Sequence, residues 1–156
     1  MSNVTATPHT LADVHALIGQ DIGPSHPVEV TRERVSSFAE VTGDPQEIHL
    51  SERAAQDAGF PASIAHGYFV LALVAHWGPQ LIQWPGPVIN YGLDRLRFIA
   101  PVIVGESLHA FVTITGVREK ASMPIVHATY TVRNAHTGDT VMVADTLIGT
   151  TGWVEK

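Results

Sequence analysis

The chain has 156 residues, no cysteine, 9 Lys plus Arg and 15 Asp plus Glu, for a formal net charge of -6. Disulfides, thiolate metal sites, iron–sulfur clusters and a Cys nucleophile are excluded, and the charge has the wrong sign for gripping phosphate backbones. At this length one domain spanning the whole chain is expected, and with 45% hydrophobic against 15% charged residues some apolar face is expected to be hidden against a partner subunit.

Met1 to Thr5 carries no basic residue and no apolar stretch behind it, so it does not read as a secretory signal. Asn3-Val4-Thr5 is then an idle sequon. The longest apolar run, residues 68–75, falls far short of the roughly 18 residues needed to cross a bilayer. A cytoplasmic protein with neither a membrane nor a nucleic-acid partner is expected, and the lack of cysteine suits a reducing compartment.

Residues 1–8 read as a loose lead-in, 11–18 as a short helix and 27–30 as a short strand. Thr31 is a helix N-cap, with Glu33 in the first turn, Val35, Phe38, Ala39 and Val41 at helical spacing, and Thr42-Gly43-Asp44-Pro45 as the stop. A turn is expected next. Ser51 then caps a helix over residues 52–58, which Gly59 and Pro61 end.

Residues 67–77 are apolar on every helical face except at His76 and are closed by Gly78-Pro79. A helix apolar all round is expected to be buried all round, and the simplest way to surround it here is to curl a sheet about it. The second half supplies strand-like runs at 88–98, 107–118, 124–134 and 140–151. Leu108, Ala110, Val112 and Ile114 share one face of their strand, Val126, Ala128, Tyr130 and Val132 one face of the next. Thr137-Gly138-Asp139 reads as a hairpin turn. No internal repeat is visible. The pattern predicts an α+β domain, an antiparallel sheet wrapped around one central helix.

Asp44 and His49 stand five positions apart in a segment bent by Gly43 and Pro45. Brought together, such a pair can share the proton handling of an addition or elimination; the same residues also fit a plain turn opening and a helix cap. Gly67 opens the apolar helix, where backbone N–H groups lack intrahelical partners and can hold an oxyanion. Alternatively, Gly67 only permits close packing and His66 is a hydrogen-bonded core residue. Asn90 and Tyr91 could line a pocket or serve as edge-strand hydrogen-bonding groups, and Arg95 and Arg97 read as a solvated face. Nine histidines include no His-Glu-x-x-His and no recognisable ligand spacing, so no metal is expected. The Gly-rich dinucleotide, P-loop and Gly-x-Ser-x-Gly motifs are absent from the sequence.

Phe38 to His49, Gly59 to Tyr68 and Ile89 to Phe98, followed by Ala100-Pro101-Val102 and Val104-Gly105, resemble the successive blocks of the MaoC-like (R)-specific enoyl-CoA hydratases and dehydratases, particularly the branch related to nodulation protein NodN. The resemblance covers most of the chain. It implies a hot-dog fold, normally paired edge to edge as a homodimer. It also implies reversible hydration of a trans-2-enoyl thioester to the (R)-3-hydroxyacyl thioester, with no cofactor beyond the coenzyme A of the substrate. Asp44 and His49 match the family's catalytic pair, Asp44 taking a proton from water while His49 orients it and helps deliver a proton to C2. Gly67 matches the glycine whose N–H binds the thioester oxygen, and His66, Asn90 and Tyr91 are expected to contact substrate. The commoner motif reads Gly-Asp-x-Asn-Pro-x-His, whereas Gln46 and Glu47 stand here in the Asn and Pro places, and Ala72 and Ala75 stand where many members carry a helix serine. Those departures keep a catalytically silent acyl-thioester-binding protein open as an alternative, and a hot-dog thioesterase acting on the same kind of substrate is a second one. A surface at -6 does not attract acidic carrier proteins, which favours coenzyme A over acyl carrier protein. Arg95, Arg97, Arg118 and Lys120 are candidate phosphate contacts, each equally readable as a surface charge.

Overall fold

The computed structural model of the chain describes residues 5–119 and 123–153. Helix α1 spans Leu11–Ala16, begun by a reciprocal Thr10/Asp13 capping box; it ends two residues before the expected 18. Two short strands follow, β1 at Asp21–Ile22 and β2 at Val28–Glu29. Only the second was legible, because two residues of β1 are too few to show alternation. Helix α2, Arg32–Thr42, starts from the Thr31 side chain as expected. Where a turn was expected a four-residue helix α3, Glu47–Leu50, intervenes before α4, Glu52–Asp57, which Ser51 caps.

The sheet is built from β3 (Val88–Phe98), β4 (Ser107–Arg118), β5 (Ile125–Asn134) and β6 (Thr140–Thr150). Its order is β1-β4-β5-β6-β3, with β2 also on β4, and every strand pair is antiparallel. The inward faces follow the alternation read from sequence. Leu108, Ala110, Val112 and Ile114 are wholly buried, and Tyr130 is the most exposed of its row at 4%. Each fully buried aliphatic of this kind contributes about 1.5–3 kcal/mol relative to an exposed one.

The central helix departs from expectation in two ways. It is two consecutive helices, α5 (Gly67–Ala72) and α6 (Val74–Leu81), and it runs through Gly78-Pro79 rather than stopping there. Pro79 lacks the N–H that would close the last turn, a loss tolerated near a helix end. The helix is also not buried all round: Phe69, Val70, Trp77 and Leu81 pack into the sheet, whereas Tyr68 is 70% exposed and Ala72, Ala75 and His76 face outward. One curled sheet covers one side of a helix.

The lead-in is partly fastened. Ala6 N–H donates to the Leu81 carbonyl at 2.9 Å and Gln83 N–H to the Ala6 carbonyl at 2.9 Å, burying Ala6 and Pro8; residues 1–4 lie outside the described residues. At the other edge, β3 exposes Val88, Ile89, Tyr91, Leu93 and Phe98. Its register shifts on both sides of Tyr91 and Asp94, the irregularity that re-aims side chains at sheet edges. Among the described residues no helix is long and apolar enough to cross a membrane.

Candidate active site

The C-terminus of α2 delivers Asp44. Gly43 adopts the left-handed conformation at φ 68°, Gly43 N–H reaches the Glu40 carbonyl and Asp44 N–H the Ala39 carbonyl at 3.0 Å. These paired bonds form the Schellman closure, which glycine accepts without the Cβ penalty. The Asp44 carboxylate then receives a 2.9 Å hydrogen bond from the Gln46 side chain. That bond, more than the nearby His66 and His49, holds the carboxyl below its usual range. Gln46 therefore braces the loop from the place where an Asn was expected.

Helix α3 carries His49, which is 7% exposed. Its Nδ1 lies 2.7 Å from the Ile64 carbonyl. A carbonyl only accepts, so Nδ1 holds the hydrogen and Nε2 keeps its lone pair. Burial pushes the imidazole pKa down, against the carbonyl bond that raises it, so the ring is a neutral proton acceptor at neutral pH. The partner carbonyl is itself fixed: Ile64 N–H bonds Ile48, Ala65 N–H bonds Val102, and Val104 N–H bonds Ser63.

His66, 3% exposed, lies beneath both. Its ring stacks on that of His49 with centroids 3.7 Å apart and contacts Phe38 at 5.2 Å. Its Nε2 donates to the Asp44 main-chain carbonyl at 3.0 Å, leaving the buried Nδ1 without a hydrogen-bond partner among the described residues. One carboxylate oxygen of Asp44 and one ring nitrogen each of His49 and His66 lie within 4.8 Å of one another. As a metal cage the trio is poor, since one nitrogen of each ring is committed to a carbonyl; Asp44 and His49 Nε2 remain for a ligand.

Gly67 is the first residue of α5. The His66 carbonyl takes the Phe69 and Val70 N–H groups, so the Gly67 N–H has no acceptor inside the helix. His49 and Gly67 line the same cavity, of about 260 Å3, together with Val70, Phe98 and Pro101. Asp44 is not part of that wall; its side chain is 43% exposed beside it. A Cβ built on Gly67 would meet the Phe98 ring at 2.9 Å, so any larger residue there would have to displace that ring from the cavity wall.

Asp44, His49, His66 and Gly67 thus come together, whereas Asn90 and Tyr91 do not join them. Asn90 lines two further cavities along the helix and Tyr91 one, so both line pockets but stand apart from the His49 cavity. Arg95 pairs with Asp145 at 2.9 Å and Arg97 bonds the Leu96 carbonyl, which is the surface role; Lys120 lies outside the described residues. Ala72 and Ala75 line the middle cavity. Sequence reasoning missed Phe98 as a wall of the site, although its place at the end of an exposed strand opposite a helix glycine was the available signal.

An antiparallel sheet curled about one helix, with an acid and an imidazole at the helix entrance, defines the architecture of the hot-dog dehydratases. The MaoC-like domain family matches residues 13–136, and the chain belongs to that family. It is 39% identical over 112 residues to 3-hydroxyacyl-thioester dehydratase Z of Mycobacterium tuberculosis, covering 70% of this chain and 74% of that protein. It is 38% identical over 104 residues to nodulation protein N of Rhizobium meliloti, 64% of this chain and 65% of that protein. Among solved structures, the unliganded R-hydratase PhaJ1 from Pseudomonas aeruginosa superimposes with a TM-score of 0.71 at 27% identity, over 89% of this chain and 86% of that one.

Proposed function

We propose that the protein adds water reversibly to trans-2-enoyl thioesters, giving (R)-3-hydroxyacyl thioesters. The observation that carries this reading is the His49 Nδ1 bond to the Ile64 carbonyl, which fixes the tautomer and leaves Nε2 as an acceptor near an ionised carboxylate. Two hydrogen bonds of about 2.8 Å span up to roughly 5.6 Å, so one water can bridge Asp44 and His49, which offer ligand atoms no more than 4.8 Å apart.

That water donates one hydrogen to Asp44 and the other to His49 Nε2, aiming its oxygen at C3. As the C3–O bond forms, Asp44 takes the proton from the water's O–H bond. The negative charge spreads through C2 to the thioester oxygen, where the Gly67 N–H meets it. The pair then returns a proton to C2, with His49 orienting the exchange, and both groups end as they began. Names among the relatives support the reaction class: a dehydratase of 3-hydroxyacyl thioesters and an R-hydratase. The test is crotonyl-CoA, with loss of enoyl absorbance and chiral analysis of the product. Thiol release would instead indicate a thioesterase, and tight binding with no spectral change a silent binder.

The acyl carrier is coenzyme A on this reading, since a net charge of -6 gives no long-range attraction to an acidic carrier protein. The protein acts in the cytoplasm as a homodimer joined through β3. That strand exposes five large apolar residues, from Val88 at 46% to Phe98 at 46%, and pairs only with β6 among the described residues. An open apolar edge of this length invites a second strand.

A further inference from the structure

Three cavities succeed one another along the central helix. Gly67 and Val70 line the first, beside His49; Leu71, Val74 and Ala75 the second, of about 320 Å3; and Val74, Gly78 and Ile82 the third, of about 630 Å3. Positions 67, 71, 74 and 78 recur at three- and four-residue intervals along α5 and α6, so one stripe across the two consecutive helices fronts all three cavities. From Gly67 to Gly78 this stripe runs roughly 16 Å at about 1.5 Å per residue.

The far cavity is mostly apolar, with Trp84, Val88 and Ile148 among its walls, and among the described residues no charged one lines it. One buried polar group stands out. Tyr130 is 4% exposed and lines the cavity, and its hydroxyl opens onto that space beside Gly78, with no hydrogen bond to it recorded among the described residues. Burial alone raises its pKa to about 12, so it stays a neutral donor. Gly78 stands opposite, where a Cβ would lie 3.3 Å from the Tyr130 Oη, so the missing side chain keeps the hydroxyl accessible. Thr146 gives its own hydrogen to the Ala128 carbonyl at 2.9 Å and offers lone pairs to the same space, and Asn90 adds an amide. A hydroxyl that faces a mostly apolar cavity keeps its hydrogen available for an acceptor that enters there.

Building on the hydratase reading, we propose that the acyl chain of the substrate carries a neutral oxygen, hydroxyl or oxo, remote from the thioester, and that the Tyr130 hydroxyl binds it. With no cation among the described residues of the wall, a carboxylate is a poor occupant. The neutral oxygen accepts the Tyr130 hydrogen, and the apolar walls hold the carbons leading to it.

The test compares acyl-CoA thioesters of equal length, plain or with a hydroxyl moved carbon by carbon along the chain. Affinity is read by calorimetry on the saturated series and kcat/KM on the trans-2-enoyl series. At one hydroxyl position the parent protein is expected to favour the oxygenated compound by about tenfold, the worth of one good buried hydrogen bond. Tyr130→Phe is expected to bring that ratio close to one while folding as well as the parent, since the ring stays and only the hydroxyl goes. Gly78→Ala, crowding the hydroxyl, is expected to cut the ratio as well. Equal affinity for both series, or a Tyr130→Phe variant that weakens both by the same factor, overturns the inference. Turnover without preference would do so while leaving the hydratase reading intact; preference in binding with no turnover would support the inference and remove the hydratase.

Discussion

The ring of His66 stacks on that of His49 at 3.7 Å and 28° between planes, and the same ring reaches the main-chain carbonyl of Asp44 at 3.0 Å. One side chain therefore sets the distance between the two halves of the proposed pair, which sit on the loop after α2 and on α3. His66 touches neither water nor substrate in the proposed reaction and is a positioning residue. His66→Leu, which keeps bulk but loses the donor, is expected to lower kcat more than it raises KM. A purely structural role would show as lost thermal stability with kinetic constants unchanged in the surviving fold.

Direct removal of the pair gives the larger effect. General acid–base groups contribute about 100- to 10,000-fold, so His49→Ala and Asp44→Asn are each expected to depress crotonyl-CoA hydration by at least the lower figure, with CoA thioester affinity largely retained. Measured Kd values separate this outcome from collapse of the site. A double variant hydrating at the parent rate would remove the assignment.

The two ionisable groups give the pH profile its direction. Burial holds His49 below the ordinary 6.5, and the Gln46 bond holds Asp44 below 3.8. Hydration is expected to stay level as pH falls past 6.5 and to decline only when Nε2 gains a proton, so His49 sets the acid limb. Both groups bind fewer protons folded than unfolded, so their contribution to stability is full above about 6.5 and lost as pH falls, first through His49 and then through Asp44. Gln46→Leu should raise the Asp44 pKa, observable by carboxylate NMR titration.

Gly43 is the hinge of the loop. Its φ of 68° is costly for a residue with a Cβ, so Gly43→Ala is expected to lower stability by about 1 kcal/mol. Asp44 should move with it, which predicts a drop in kcat beyond that of a surface control such as Glu33→Ala. Chemical denaturation and steady-state kinetics on the same samples would check both.

The exposed edge gives a fifth outcome. Leu93 is 45% exposed on β3, and Leu93→Lys is expected to convert a dimer sedimenting at micromolar concentration into a monomer, because a lysine on an edge strand opposes strand addition. A monomeric parent would contradict the pairing.

Much of this architecture was legible in the residues. Long strands announced themselves by alternation, and Thr31, Ser51 and Gly43 marked helix ends through side-chain and backbone chemistry that acts within a few residues. The pairing of Asp44 with His49 was legible as spacing plus resemblance. What stayed hidden depends on contacts distant in sequence. The carbonyl that selects the His49 tautomer belongs to Ile64, the wall opposite Gly67 to Phe98, and the hydroxyl facing Gly78 to Tyr130. Burial of the central helix was overestimated because apolar composition cannot distinguish a face covered by the chain's own sheet from one left open. Helix α3 was missed because four residues carry no period.

The 2.9 Å approach between a side chain imagined at Gly67 and the ring of Phe98 ties two positions 31 apart in numbering into one unit of inheritance. A lineage that replaces the glycine must first shrink or turn the aromatic, and one that keeps the aromatic is committed to the glycine. Across homologous chains these two columns should vary together.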